Sequence, residues 1–290
     1  MSDPFASPAA VADALRSVNY LPDPRIAQVA FLAERLGKPI LVEGPAGVGK
    51  TELAKSLAAV TGHRLVRLQC YEGLDEAKAL YEWNYKKQLL RIQADQDHDW
   101  DDISDDIFSD EFLLARPLLQ AIRSPEPVVL LIDEIDRVEM ETEALLLEVL
   151  SDFQVSIPEL GTIAASTRPL VVLTSNNTRE LSEALKRRCL FLHISYPDPE
   201  REKQILLARV PDLPERLAAQ IAQVARSVRN LDVKKAPSVS ETIDWARTLL
   251  ALGVERIDQQ VVGDTIHVLL KYQSDIERAA KELELPEPAP

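Results

Sequence analysis

The residues Gly44-Pro45-Ala46-Gly47-Val48-Gly49-Lys50-Thr51 follow the spacing GxxxxGK[ST]. The 290-residue chain has only 9 glycines, and Gly44, Gly47 and Gly49 are a third of them. Glycine lets successive backbone N–H groups turn toward one anion without Cβ obstruction, so the stretch reads as a cradle for the β- and γ-phosphates of a nucleotide. A helix opening at its end adds partial positive charge, Lys50 can reach the terminal phosphates, and the Thr51 hydroxyl can ligate magnesium. A second cluster, Leu130-Leu131-Ile132-Asp133-Glu134, delivers two adjacent carboxylates to the end of an apolar run. Asp133 can hold Mg2+, usually through water, while Glu134 can orient and polarise a water for in-line attack on the γ-phosphate. With the loop at Lys50, this pair points to hydrolysis of a bound nucleotide rather than its storage.

Two further groups bear on the same chemistry. The run Leu170-Val171-Val172-Leu173 ends in Thr174-Ser175-Asn176. If that strand lies between the first and third, Asn176 reaches the γ-phosphate and the attacking water; otherwise it is a turn asparagine. Leu185-Lys186-Arg187-Arg188-Cys189 places two arginines ahead of the next strand. They form either a solvated basic pair or a guanidinium that crosses to the γ-phosphate of a neighbouring subunit.

Positioning these groups requires strands alternating with helices. Five short β-branched runs, Ile40-Leu41-Val42, Leu65 to Leu68, Val128 to Ile132, Leu170 to Leu173 and Phe191 to Ile194, lack strict alternation and suit strands buried on both faces of a mostly parallel sheet. Helical spacing at Thr51 to Val60 and Thr142 to Leu150 separates them, which predicts an α/β layer fold. Residues 1–36 read as helical with a break at Leu21-Pro22-Asp23-Pro24. Tyr81, Trp83 and Tyr85 alternate with polar residues, suggesting a half-buried strand or hairpin inside an insertion at about 71–111. After Tyr196-Pro197 only helical periodicity remains. The expected domains are therefore 1–196, N-terminal helices and nucleotide-binding core, and 197–285, an all-helical lid, with 286–290 a frayed tail.

Composition excludes other classes. The longest aliphatic run, Val128 to Ile132, is far too short to span a bilayer, and 33 basic against 47 acidic residues give a net charge of −14, which repels phosphate backbones and anionic lipid. The expectation is no nucleic acid and no membrane insertion. Cys70 and Cys189 form no metal or disulfide framework, and the opening Met-Ser-Asp-Pro lacks a secretion signal, so a cytoplasmic protein is expected. Nine acids and no lysine or arginine fall between residues 95 and 111, so without them the charge drops from −14 to −5. Asp95, Asp97, Asp99, Asp101 and Asp106 match calcium-loop spacing, but Trp100 stands where that loop needs glycine; a solvated acidic loop or a docking surface for a basic partner is the better reading.

The order GPAGVGKT, LLIDE, TSN, ALKRRC, followed by helices, resembles the AAA+ ATPases. The run Asn176-Asn177-Thr178-Arg179-Glu180-Leu181 leading to Arg187-Arg188-Cys189 is similar to the MoxR branch, in particular its members associated with carbon monoxide dehydrogenase maturation. The resemblance implies an αβα core with a five-stranded parallel sheet in the order 5-1-4-3-2, a helical lid, and a homo-oligomeric ring, usually a hexamer, with ATP between subunits. It also implies an arginine finger, for which Arg188 is the first choice and Arg187 the second. A helix-two insertion matches roughly Tyr71 to Ala94, and a pre-sensor hairpin matches Phe153 to Thr167. Many lids of the family carry a sensor arginine where this chain reads Pro237-Ser238-Val239-Ser240-Glu241; Lys234 or Lys235 could substitute, or the contact could be missing.

The expected protein is thus a Mg2+-dependent ATPase ring that remodels a client, in metalloenzyme maturation with a von Willebrand factor A domain partner. The alternatives are a chelatase-type or rubisco-activase-like subunit, and, more distantly, a nucleic-acid motor or loader or a small-molecule phosphotransferase.

Overall fold

The computed structural model describes residues 3–94 and 107–283. The calcium-like spacing from Asp95 to Asp106, and the tail at 286–290, lie outside the described residues. In chain order the strands are β1 (Ile40–Glu43), β2 (Arg64–Gln69), β3 (Tyr81–Trp83), β4 (Leu113–Ala115), β5 (Val128–Asp133), β6 (Gln154–Ile157), β7 (Gly161–Ala164), β8 (Leu170–Ser175) and β9 (Leu190–His193).

Five of them form one parallel sheet in the order β2-β5-β8-β1-β9. Counted in chain order, these five read 5-1-4-3-2, the expected topology. β5 and β8 are buried at every position, which is why their sequences run apolar without alternation: helices cover both faces of an interior parallel strand. β2 is an edge strand and does alternate at its C-terminal end, with Val66 and Leu68 inward and Arg67 and Gln69 outward. Its register with β5 sets Gln69 level with Asp133, and that of β5 with β8 pairs Ile132 with Leu173. Asp133 and Thr174, one residue further along each strand, therefore share the C-terminal edge of the sheet.

The aromatic alternation ends earlier than its period suggests. β3 pairs antiparallel with β4, Tyr81 opposite Ala115 and Trp83 opposite Leu113, but Tyr85 begins a helix, Tyr85–Ala94. Asn84 makes the turn: its carboxamide accepts the Lys87 backbone N–H at 3.1 Å while its own N–H donates to the Phe112 carbonyl at 2.8 Å. β6 and β7 form a separate antiparallel pair, Gln154 opposite Ala164 and Ile157 opposite Gly161.

Two compact units emerge. Among the described residues, one comprises residues 3–18, Pro22–Glu43, 51–94 and 107–193; the other comprises Asn19–Leu21, Gly44–Lys50 and 194–283. The first contains the sheet and the helices Pro8–Ser17 and Pro24–Leu36, started by side-chain caps from Ser7 and Asp23 with proline at the first helical position. The second holds the helices Pro199–Arg209, Glu215–Arg229, Val239–Ala251, Gln259–Thr265 and Gln273–Glu282 around fully buried Trp245, whose indole N–H donates to Thr265 Oγ1 at 2.8 Å. Leu206, Leu217, Ile221 and Leu249 complete the centre of that core. Among the described residues no helix is long and apolar enough to cross a membrane.

Candidate active site

Between β1 and the helix Lys50–Thr61 the chain makes the glycine turn. Gly44 has φ +153° and a Cβ there would sit 2.0 Å from the Ile194 carbonyl oxygen; at Gly47, φ +71°, it would sit 2.3 Å from the Ser238 Cβ. Glycine is required at both on two grounds, the dihedral and the close approach. Lys50 is buried, and its ammonium donates to the Gly44 and Pro45 carbonyls at 2.6 and 2.7 Å, bridging the turn it would otherwise lend to phosphate. Pro45, Ala46, Val48 and Gly49 supply the remaining backbone of the turn.

Ser238, facing Gly47, caps the helix Val239–Ala251. Its hydroxyl accepts the Glu241 N–H at 3.2 Å and its N–H donates to Glu241 Oε2 at 2.7 Å, a reciprocal capping box. The backbone N–H groups of Lys234 and Lys235 both donate to buried Asp275, and the Lys235 ammonium lies 3.5 Å from Glu241 Oε1.

The sheet edge gathers the carboxylates. Asp133 Oδ1 accepts the Thr51 hydroxyl at 3.0 Å and the Thr174 hydroxyl at 2.6 Å, and Oδ2 accepts the Arg67 guanidinium at 2.5 Å. Glu134 follows in a left-handed turn, φ +59°, its N–H donating to Thr174 Oγ1 at 2.9 Å. That turn points its carboxylate to Arg137 Nε at 2.7 Å and Gln69 Nε2 at 3.3 Å. Thr174 thus links the two acids through one hydroxyl. Each acid has its own basic neighbour.

Buried Asp136 joins Asn176 to the same edge. It accepts the Asn176 N–H at 3.1 Å, the Thr178 N–H at 2.9 Å and the Thr178 hydroxyl at 2.6 Å. Burial alone would raise this carboxyl, but the bonds from Thr178 and then Asn176 outweigh it and hold Asp136 below the usual carboxylate range. Next to it the Cys70 N–H donates to the Asp133 carbonyl at 2.8 Å, and its thiol is pushed up to about 12 by burial and then by Asp133, Asp136 and Glu134. Cys189 is likewise pushed up to about 12, by burial. Neither thiol is a nucleophile at neutral pH.

The arginines lie on the short helix Glu183–Arg188. Arg188 bonds through Nε to the Ser151 hydroxyl and through Nη1 to the Ala184 carbonyl at 3.2 Å, while Arg187 is exposed, 3.9 Å from Glu183. The structure therefore brings together Thr51, Asp133 and Glu134, tethers Asn176 to them through Asp136, and turns Arg188 onto the helix Met140–Asp152 instead. Sequence reading missed Arg67, Gln69, Arg137, Asp136 and Thr174. Arg67 and Thr174 stood within runs already read as strands, but nothing in their spacing tied them to Asp133.

The chain is similar to known proteins in sequence and fold. The family profile described as AAA domain (dynein-related subfamily) matches residues 39–189. Uncharacterized proteins of Staphylococcus aureus (strain bovine RF122 / ET3-1) and Staphylococcus haemolyticus (strain JCSC1435) are 25% and 26% identical over 243 residues, which cover 80% of this chain and 85% of each relative. A solved structure of a Thermotoga maritima RuvB mutant aligns with a TM-score of 0.50 at 17% identity, over 89% of this chain and 68% of that one. At that identity the likeness is one of fold.

Proposed function

This chain belongs to the AAA domain family, dynein-related subfamily, and from that premise we propose a Mg2+-dependent ATPase that works as a homo-oligomeric ring and remodels a client protein. Membership itself implies ATP binding and hydrolysis; the residue roles and the client are the proposal. The observation that carries it is the cluster in which Thr51, Asp133, Thr174 and Glu134 share hydrogen bonds at one sheet edge.

In this reading the turn Gly44 to Gly49 presents backbone N–H groups to the phosphates, and Lys50 leaves the Gly44 and Pro45 carbonyls for the terminal phosphate oxygens. Thr51 and Asp133 would hold Mg2+, and the chemistry it would supply there is neutralisation of phosphate charge. Glu134, released from Arg137 and Gln69, polarises the attacking water, and Asn176 orients it. Arg188 of a neighbouring copy leaves Ser151 and meets the γ-phosphate, with Arg187 the second candidate.

The run from Asn176 to Cys189 supports the MoxR branch, and with it a role in metalloenzyme maturation beside a von Willebrand factor A domain partner. A chelatase-type or rubisco-activase-like subunit is the runner-up.

Glu134→Gln should retain ATP binding and lose turnover by about 100-fold or more. Normal steady-state hydrolysis would remove Glu134 from its role. Arg188→Ala should bind nucleotide yet fail to hydrolyse it, and mixing it with Glu134→Gln should restore some interfaces; no rescue in assembled rings refutes action across subunits. Proteins retained by ATP-loaded Glu134→Gln identify the client. Salt-sensitive DNA stimulation of hydrolysis would instead select a nucleic-acid motor.

A further inference from the structure

We infer that Arg67 is the resident counter-charge of Asp133, occupying the carboxylate until a metal-bearing nucleotide displaces it, so that the site refuses free divalent metal. This rests on the reading of Asp133 as the carboxylate that holds Mg2+.

The Asp133 side chain is 4% exposed, and a carboxylate so buried needs either a cation or a full set of donors. Two of its three donors, Thr51 and Thr174, are neutral hydroxyls, and both bind Oδ1. Arg67 supplies the charge, on Oδ2. The two partners differ in what they can do without each other. Arg67 is 47% exposed, so its guanidinium can leave for water, whereas Asp133 has no comparable route. Release of the arginine is therefore cheap only when another cation takes its place.

Free Mg2+ arriving alone must give up water and expel Arg67 for a site offering one carboxylate and one hydroxyl, Thr51. Mg2+ arriving on a nucleotide brings phosphate ligands with it, and those phosphates also attract the guanidinium it expels. Arg67 has a second bond, from Nη2 to Gln69 Oε1, and Gln69 in turn donates to Glu134 Oε2. Departure of Arg67 from Asp133 thus loosens the amide that restrains Glu134. One exchange of cations signals the arrival of metal to the residue that activates water.

The test uses the full chain and Mn2+ as the probe, with free Mn2+ read by electron paramagnetic resonance. Without nucleotide, Arg67→Met should bind Mn2+ about tenfold or more tightly than the unaltered protein, because a unit charge beside the carboxylate has gone. Arg67→Lys should stay near the unaltered affinity. Asp133→Asn in the Arg67→Met background should abolish the gain, separating it from Mn2+ held by other acids. An unchanged or weaker affinity in folded Arg67→Met overturns the inference, and so does a gain that survives Asp133→Asn. If ADP binds but no Asp133-dependent Mn2+ binding appears in either protein even with ADP present, the reading of Asp133 itself fails, a result distinct from the other two.

Discussion

Arg229 meets Glu202 at 2.6 and 2.7 Å and Arg67 meets Asp133 at 2.5 Å, yet the two pairs are set up for different fates. In the helical unit the Arg229 and Glu202 side chains are 8% and 1% exposed, and the guanidinium binds both carboxylate oxygens. Its remaining donors reach the Pro237 carbonyl at 2.8 Å and Thr242 Oγ1 at 3.2 Å, and its Cζ lies over the Tyr196 ring, 4.7 Å from the centroid. Each contact belongs to a different stretch of chain, so the fork fastens three helices and the segment leading to Ser238. Arg67 in the sheet unit makes one bond to its carboxylate and is half in water. A saturated, bidentate pair is a structural fastening; a monodentate pair with one wet partner is an exchangeable one.

The sharpest way to break the comparison is Arg229→Ala, which leaves the Glu202 charge buried and unpaired. It should cost about 3–5 kcal/mol in urea unfolding, and Mg2+ or ADP should not restore the loss. Arg229→Lys keeps the charge and loses the fork, and should cost an intermediate amount, about 1.5–3 kcal/mol. Arg67→Met leaves the buried Asp133 carboxylate on two neutral hydroxyl donors and should cost about 1–3 kcal/mol without ligand, and ADP with Mg2+ should recover it. Equal losses for Arg229→Ala and Arg67→Met would erase the distinction.

The smallest effect sharpens it from a third acid. Asp136 is held by neutral donors alone, and its folded value lies below the unfolded one of about 3.9, so its contribution is fully present above that pH and is lost as pH falls through the lower, folded value. Asp136→Asn should make the acid limb of a pH–stability profile shallower below about pH 4.

How much of this was legible follows from distance along the chain. The glycine turn, Lys50 and Thr51 are neighbours by covalent connection, and Asp133 and Glu134 end a run that must be a buried strand, so residue type and spacing suffice. The sheet order was implied by the family resemblance and not by the spacing, since several runs, Ile40 to Val42, Val128 to Ile132 and Leu170 to Leu173 among them, are equally apolar. Arg67 could not be found in this way: 66 positions separate it from Asp133, and only the register of β2 on β5 brings them together. Thr174 stood in plain view beside Asn176, but its bond to Asp133 depends on β8 lying next to β5. The early end of the aromatic alternation depends on the Asn84 cap and the Phe112 carbonyl, 28 residues apart by number, so period alone overran it.

By itself, then, the sequence determined the glycine turn, the acidic pair, the α/β class and the helical region beyond it, because each is written in local spacing, periodicity or composition. The tertiary structure decided what stands opposite each charge: Arg67 and not solvent beside Asp133, Arg137 and Gln69 on Glu134, Ser151 on Arg188. Side chains distant in sequence can satisfy one another only after strand register and helix packing have placed them within about 3 Å, the range over which a hydrogen bond exists.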